Sequence, residues 1–330
     1  MSEKAPPLAT LVRAGDAQTE AVAITPFVFM ARDISNAYLV TTGDGDVMVN
    51  TGFFDDAHQQ RNLALLAPHR TGPLRRIVLT QSHADHFGGV PVFREPETKV
   101  IGGPGFNQAW GDMNRLQPFF GPRSGKPRLV WNTLGSLEKL KALGGEIIVT
   151  GHGEPILGAE RIRTDIDRMI GAIAWVRDYT IDGMNAGRTV HELMRTAELP
   201  EHLKIGEFHG KVSWAVKTIW DEYAGWFHCE DGTTELYGVP RSAVHADLVE
   251  LAGADALATR AQARLDDGAP LEAIHLTDIV LSVEPAHRQA LTVKRAAHEA
   301  LLAASGATNH SETMWLRSEI AKAEARLAEG

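Results

Sequence analysis

The chain has 330 residues, of which 44% are hydrophobic, 23% charged and 7% aromatic, a composition that excludes a disordered chain, a collagen-like repeat and a disulfide-stapled miniprotein. Its 42 acidic residues outnumber 33 basic ones and give a net charge of −9, so a phosphate backbone is repelled on average and we expect no nucleic-acid partner. The sequence has no run of about 18 apolar residues, so we expect no membrane span.

The N-terminal segment Met1–Leu11 reads MSEKAPPLATL. It lacks the apolar stretch of about 7–15 residues that is typical of a secretory signal peptide. Cys229 is the only cysteine, so it cannot form a disulfide within the chain. Because a single thiol suits a reducing compartment, we expect a cytoplasmic protein.

The first half of the chain alternates strand and helix patterns. Residues 36–51 predict a β-hairpin, because two β-rich runs flank a turn of glycine and aspartate at 42–46. The later patterns predict, in chain order, a helix over 55–67, strands over 75–80 and 98–102, a helix over 134–143 and a strand over 146–150. This alternation predicts an α/β domain, which we place at residues 1–155.

The second half shows only helical patterns, and we assign residues 156–330 to an all-α domain. Apolar residues at three- and four-residue spacing predict a helix from about 159 to 184, and Thr189 with Glu192 forms the pattern of a capping box. Further helical segments cover 243–253, 254–268, 270–282, 285–305 and 311–328. Three of them carry apolar stripes that one layer of helices cannot bury, so we predict a homodimer built by this half.

A polar loop directly follows the 75–80 strand and carries His83, Asp85 and His86. Neutral imidazole and carboxylate suit Zn²⁺, while ligand type alone leaves Fe and Mn open. The following Gly88-Gly89 pair permits close backbone approach. We predict a metal site in this loop; the alternative is a polar loop with two hydrogen-bonded histidines.

Two groups of motifs resemble a known family. The hairpin ending in VNTG (49–52) and the loop QSHADHFGG (81–89) resemble the metallo-β-lactamase superfamily, whose hallmark is H-x-H-x-D-H-x-G-G. The second half resembles the alkyl sulfatase branch in GHGEPILGAERI (151–162), MNAGRTVHELMRTAELPEHL (184–203), YAGWF (223–227) and EPAHRQALTVKRAAHEALLAASG (284–306). The resemblance implies a shortened αββα sandwich followed by an all-α dimerisation domain.

The resemblance also implies a set of metal ligands. His83 falls on a ligand of the first metal, and Asp85 and His86 fall on ligands of the second, which His152 joins. Gln81 stands where the family has its first histidine, and an amide oxygen is a weaker ligand than imidazole. Only 66 positions separate His86 from His152, which is short for this branch, and the strands that carry its further ligands have no recognisable counterpart. We therefore expect one zinc ion and leave a second open.

For the reaction, the resemblance implies a metal-dependent hydrolase in which zinc-bound water, oriented by Asp85, attacks a small anionic sulfate ester. Arg128 matches an arginine of the sulfate pocket. Glu154, beside His152, is expected to form a salt bridge, and a metal role is the alternative. Two alternatives stay open. One is hydrolysis of a carboxylic ester, lactone or thioester on the same scaffold, and the other is a catalytically inactive dimerising protein with a degenerate metal site.

Overall fold

The structure is a computed structural model that describes residues 15–103, 106, 107, 110, 111, 133–227 and 232–329. The described residues divide into two compact units. The first continues to Asp167, and the second consists of Arg168 onward together with residues 133 and 134. The predicted order, an α/β unit followed by an all-α unit, is confirmed, whereas the boundary at residue 155 stays a prediction.

A six-stranded mixed sheet forms the centre of the first unit, with its strands in chain order across the sheet. They are β1 (Val22–Thr25), β2 (Val28–Ala31), β3 (Ala37–Val40), β4 (Asp46–Val49), β5 (Leu74–Leu79) and β6 (Lys99–Gly102). The first four pair antiparallel, and β4, β5 and β6 pair parallel. The predicted hairpin is β3 with β4, and Gly45 in its turn adopts a φ of +109°. A separate two-stranded antiparallel sheet joins β7 (Ile147–Ile148) to β8 (Ile156–Leu157).

Apolar residues of the sheet and of the helices between its strands build the core of this unit. These helices are α1 (Asp56–Leu66), α2 (Ala84–Phe87) and α3 (Val90–Phe93), and α4 (Thr133–Ala142) follows later in the chain. α1 begins where the Asp55 carboxylate accepts the Ala57 N–H, which is an N-cap bond. The core contains Leu39, Met48, Leu66, Ile77 and Phe93, each at most 7% exposed.

The second unit is helical throughout the part that the structure describes. Its helices are α5 (Ala159–Asn185, which begins in the first unit), α6 (Val190–Thr196), α7 (Val212–Ala224), α8 (His245–Ala252), α9 (Ala254–Asp266), α10 (Pro270–Val283), α11 (Arg288–Ser305) and α12 (His310–Glu329). The predicted capping box of Thr189 and Glu192 is confirmed at the start of α6. One buried cluster joins α5, α6 and α7, and two further clusters involve α9, α10 and α11. Among the described helices, none combines the length and the apolar character needed to cross a membrane.

Some strand predictions for the first unit were incomplete. β1 and β2 were not predicted, and the strand predicted over 146–150 is reduced to Ile147–Ile148. The reduction has a physical reason: the carbonyls of Thr150 and Gly151 accept hydrogen bonds from Asn36 and Tyr38 instead of from a neighbouring strand. The chain after β7 is therefore a loop held by side chains.

Asp46 anchors the turn that leads into β5. Its side chain is fully buried and accepts hydrogen bonds from Arg70 Nε at 3.0 Å, Thr71 N at 3.0 Å, Thr71 Oγ1 at 2.9 Å and Gly72 N at 3.2 Å. Burial acts to raise the pKa of Asp46, but the hydrogen bonds from Thr71, Gly72 and Arg70 outweigh it and hold the pKa below its usual value.

We expect Asp46→Asn to lower the free energy of unfolding at pH 7 by about 1–3 kcal/mol. The side-chain NH2 group of asparagine would face the hydrogen-bond donors of Arg70, Thr71 and Gly72 and could not accept from them. Since the folded-state pKa is depressed, the wild-type advantage is present above the pKa of the unfolded chain. It is lost as the pH falls through the folded-state pKa, so it should shrink below about pH 4. Urea unfolding at both pH values measures this. Asp44→Asn, an exposed position in the preceding turn, is the control, and equal losses in both variants would contradict the prediction.

Candidate metal centre

The loops that follow the parallel strands β4 and β5 are joined by hydrogen bonds. The Asn50 side-chain oxygen accepts from Thr80 N at 3.1 Å and from Thr80 Oγ1 at 3.0 Å. Thr51 N donates to the carbonyl of His86 at 2.8 Å. The loop after β5, which carries the predicted metal ligands, is therefore fixed against the loop after β4.

Gly88 and Gly89 make this close approach possible. A Cβ atom on Gly88 would lie 2.3 Å from the backbone nitrogen of Phe54, and one on Gly89 would lie 2.3 Å from the carbonyl oxygen of Thr51. Real Cβ contacts are essentially never that short, so any side chain here would push the two loops apart. The glycine pair sets the position of the helix turn that holds Asp85 and His86.

Three side chains converge at this point of the first unit. One ligand atom from each of Asp85, His86 and His152 lies within 4.8 Å of the other two, and no other such set occurs in the part of the chain that the structure describes. Asp85 Oδ2 lies 3.4 Å from His86 Nε2 and 3.8 Å from His152 Nε2. Tetrahedral ligands at the usual zinc distances of about 2.0–2.1 Å are about 3.3 Å apart. The donor types suit zinc, and the two distances from Asp85 Oδ2 are close to those between ligands of one zinc ion.

Both imidazoles are oriented through their Nδ1 atoms. His86 Nδ1 lies 3.0 Å from Ser35 Oγ and 3.3 Å from Thr80 Oγ1, and His152 Nδ1 donates to the carbonyl of Ile34 at 2.5 Å. The two rings are nearly perpendicular, with centroids 5.5 Å apart. With Nδ1 engaged in this way, each histidine has its Nε2 on the Asp85 side, as a zinc ligand requires.

The charge state of His86 also suits a ligand. Burial, together with the nearby His152 and His83, lowers its pKa to about 4, while Asp85 acts in the opposite direction. The imidazole is therefore neutral at pH 7, which is the protonation state that a metal ligand requires.

The remaining predicted residues differ in their relation to this cluster. His83 is exposed and lies outside the set of three, and the side-chain amide of Gln81 contacts His86 Nε2. Glu154 forms the predicted salt bridge, with Arg32 Nε at 2.6 Å. Arg128 lies outside the described residues. The ligand roles of the predicted residues and the catalytic roles of Asp85 and Arg128 stay predictions.

Sequence reasoning missed Ile34 and Ser35, which contact the two histidines. They lie between β2 and β3, 118 positions from His152 and 51 positions from His86, respectively. No local motif marks such residues, because their relation to the histidines depends on how distant loops pack together.

Comparisons with known proteins match parts of both halves of the chain. Residues 30–119 match the family model of the metallo-beta-lactamase superfamily, and residues 189–322 match that of alkyl sulfatase dimerisation. A linear primary-alkylsulfatase from Pseudomonas sp. is 32% identical over 130 residues, which are 38% of this chain and 24% of that protein. An (R)-specific secondary-alkylsulfatase from Pseudomonas sp. is 22% identical over 161 residues, 47% of this chain and 24% of that protein. The matched regions thus span about a quarter of the length of these relatives.

Solved structures show the same fold. The stereoselective inverting sec-alkylsulfatase Pisa1 from Pseudomonas sp. superposes with a TM-score of 0.78 at 18% identity, over 97% of this chain and 67% of that one. A double mutant of the sec-alkyl sulfatase PisA1 gives a TM-score of 0.79 at 17% identity with the same coverage. The chain thus combines a region that matches the metallo-beta-lactamase superfamily with a region that matches alkyl sulfatase dimerisation, in the order of the two units of the fold.

Proposed function

We propose that the protein is a zinc-dependent hydrolase of sulfate esters that carry an apolar tail. The observation that carries the proposal is the convergence of Asp85, His86 and His152 at distances that fit one tetrahedral ion. The class of substrate is supported by the relatives, which are named as alkylsulfatases. Release of sulfate from a medium-chain alkyl sulfate, with and without added zinc, tests it.

Each of the three side chains offers one ligand atom to a metal ion. His86 and His152 would hold the metal through Nε2 and Asp85 through a carboxylate oxygen, and three protein ligands are the number that a catalytic zinc site uses. When bound, the ion supplies a Lewis acid and a water of lowered pKa. His86 is only 2% exposed, whereas the His152 side chain is 49% exposed. A substrate therefore reaches the centre from the side of His152.

Two further functions are tested when an aryl ester, a lactone and a thioester are assayed beside the alkyl sulfate. Cleavage of an aryl ester, lactone or thioester without sulfate release would favour the ester hydrolase alternative. A protein that binds zinc and cleaves none of these substrates would favour the inactive dimerising protein.

We propose that the working form is a homodimer, and we expect light scattering to give about twice the mass of one chain, which is 35.9 kDa. The physical reason is exposed apolar surface in the helical unit. Leu251 on α8 is 85% exposed and Leu271 on α10 is 62% exposed, and these two helices pack against each other. Apolar surface of this kind is typical of a contact face.

The double variant Leu251→Lys/Leu271→Lys is expected to shift the mass toward one chain. Leu143→Lys, at a 79% exposed position in the first unit, is the matched control and should leave the dimer intact. A wild-type mass near 36 kDa at micromolar concentration would refute the homodimer.

A further inference from the structure

Four residues between β2 and β3 form a buried polar loop beside the metal centre. This support loop, Asp33–Asn36, contains three polar side chains that are almost inaccessible: Asp33 is 3% exposed, Ser35 is 0% exposed and Asn36 is 2% exposed. Buried polar groups are stable only when they are hydrogen-bonded, so the partners of these residues indicate what the loop holds in place.

Two of the partners are the histidines of the metal centre. Ser35 Oγ lies 3.0 Å from His86 Nδ1, and the Ile34 carbonyl accepts a hydrogen bond from His152 Nδ1 at 2.5 Å. One short loop thus contacts both imidazoles on the nitrogen that faces away from Asp85. Contacts of this kind fix the tautomer and the ring orientation of a metal-binding histidine.

The other partners lie in the segment that carries His152. Asn36 N donates to Gly151 O at 2.7 Å, and Asn36 Nδ2 donates to Gly153 O at 2.8 Å and to Thr150 O at 3.3 Å. Tyr38 Oη donates to Thr150 O at 2.6 Å. The segment 149–155 has no helix or strand of its own, so these bonds determine where the His152 backbone lies.

The support loop is itself rigidly anchored. The Asp33 carboxylate accepts from Phe53 N at 3.1 Å and from Asn62 Nδ2 at 2.6 Å, and it pairs with His58 Nδ1 at 2.5 Å. Gly52 leaves room for this contact, because a Cβ at that position would lie 2.4 Å from Asp33 Oδ2. The loop is therefore tied to α1 and does not depend on the metal for its position.

We propose that Ser35 and the pair Asn36–Tyr38 are positioning residues of the metal centre. Ser35 fixes the orientation of the His86 ring, and Asn36 and Tyr38 fix the position of the loop that carries His152. The inference rests on the proposed function, because it concerns the affinity and the geometry of the site defined there. It predicts that the ligand-free protein already has both histidines in their binding orientation, which reduces the entropy lost on metal binding.

Cobalt(II) binding tests the proposal without any measurement of activity, since the visible spectrum of cobalt reports its ligand geometry. Ser35→Ala is expected to weaken cobalt binding by about 10–100-fold and to change the spectrum, as losses of such supporting contacts do. Tyr38→Phe, which removes one hydroxyl and keeps the ring, should weaken binding less. Titration against a chromophoric chelator gives the affinities, and circular dichroism of the metal-free variants shows that they fold.

Ser282→Ala is the matched control, because Ser282 Oγ also lies near a histidine, 3.1 Å from His245 Nδ1, but on the surface of the helical unit. It should leave affinity and spectrum unchanged. If wild type binds cobalt and both Ser35→Ala and Tyr38→Phe bind it within about twofold and with the same spectrum, the positioning role is overturned while the metal centre stands. A wild-type protein that binds no cobalt overturns the proposed metal centre itself.

Discussion

Purified protein loaded with zinc and freed of excess metal is expected to hold about one ion per chain, and His86→Ala or His152→Ala should each reduce this to near zero. Only three protein ligands converge in the described part of the chain, so removing either histidine leaves two. Two ligands do not hold zinc against buffer, because a catalytic site needs three protein ligands beside its open position. Elemental analysis of wild type and both variants measures the effect.

His275→Ala, an exposed position on α10, is the control and should keep the metal. His83→Ala tests whether His83 is a ligand, as the resemblance implies, or is not, as the structure indicates. The exposed His83 lies outside the cluster of three ligands, so this variant is also expected to keep its zinc. Loss of zinc from it would place His83 among the ligands, as the resemblance implies. Two tightly held ions per chain would contradict the prediction and would require ligands beyond the three identified.

Most helices of the second half could be predicted from the sequence, because their signals are local, but α7 (Val212–Ala224) was not predicted. The predicted capping box of Thr189 starts α6, and the helix predicted over 270–282 is α10, which has Pro270 in its first turn. Gly306 ends α11 in the left-handed conformation that glycine favours. The hairpin β3–β4 could also be predicted, because the Gly/Asp turn that specifies it lies within a few residues of both strands.

Strands that are specified by contacts between distant parts of the chain could not be predicted from local sequence signals. β1 and β2 have four residues each, and half-buried strands of that length resemble loops in composition. β6 was predicted as a strand, yet all four of its residues are exposed; it pairs with β5 on one side, and among the described residues no strand pairs with its other side. The sequence of β6 has the propensity for a strand but contains no signal for its place at the edge.

The candidate site likewise has some residues that local sequence identifies and others that only the folded structure identifies. Asp85 and His86 could be identified directly, because they are adjacent in a polar loop behind a strand. His152 was reached only through the resemblance, because a single histidine in Gly-His-Gly carries no specific signal. The contacts that turn both imidazoles toward Asp85 come from the β2–β3 connection, whose sequence contains no metal-binding pattern. Ligand identity is thus partly local, whereas ligand orientation depends on tertiary packing.

Zinc-loaded protein is expected to release sulfate slowly from a medium-chain alkyl sulfate and to leave a chromogenic β-lactam intact. Asp85→Ala should reduce this activity to background, because Asp85 Oδ2 is the carboxylate oxygen that lies within 3.8 Å of both histidines. Turnover should be slow because Gln81 replaces the first histidine of the family loop, and the short interval between His86 and His152 removes further ligands of the other metal. Ion chromatography of released sulfate measures the rate.

Arg128→Ala is expected to reduce the rate by about 10²–10³-fold, which is the usual loss when one preorganised donor to a developing anion is removed. A guanidinium can bind two sulfate oxygens at once and stabilise the charge that develops on them as the ester bond breaks. Arg94→Ala, at an exposed position of the first unit, is the matched control and should retain the wild-type rate.

Parallel assays with an aryl ester and the β-lactam decide among the candidate functions. If either is cleaved well while the alkyl sulfate is untouched, the family branch is no guide to the substrate, and a neutral ester becomes the better candidate. If Arg128→Ala impairs the aryl ester as much as the alkyl sulfate, the arginine is not a sulfate clamp, because a neutral ester offers it no anion in the ground state. Selective loss of the sulfate reaction, with zinc content unchanged, is the result that supports anion recognition by Arg128.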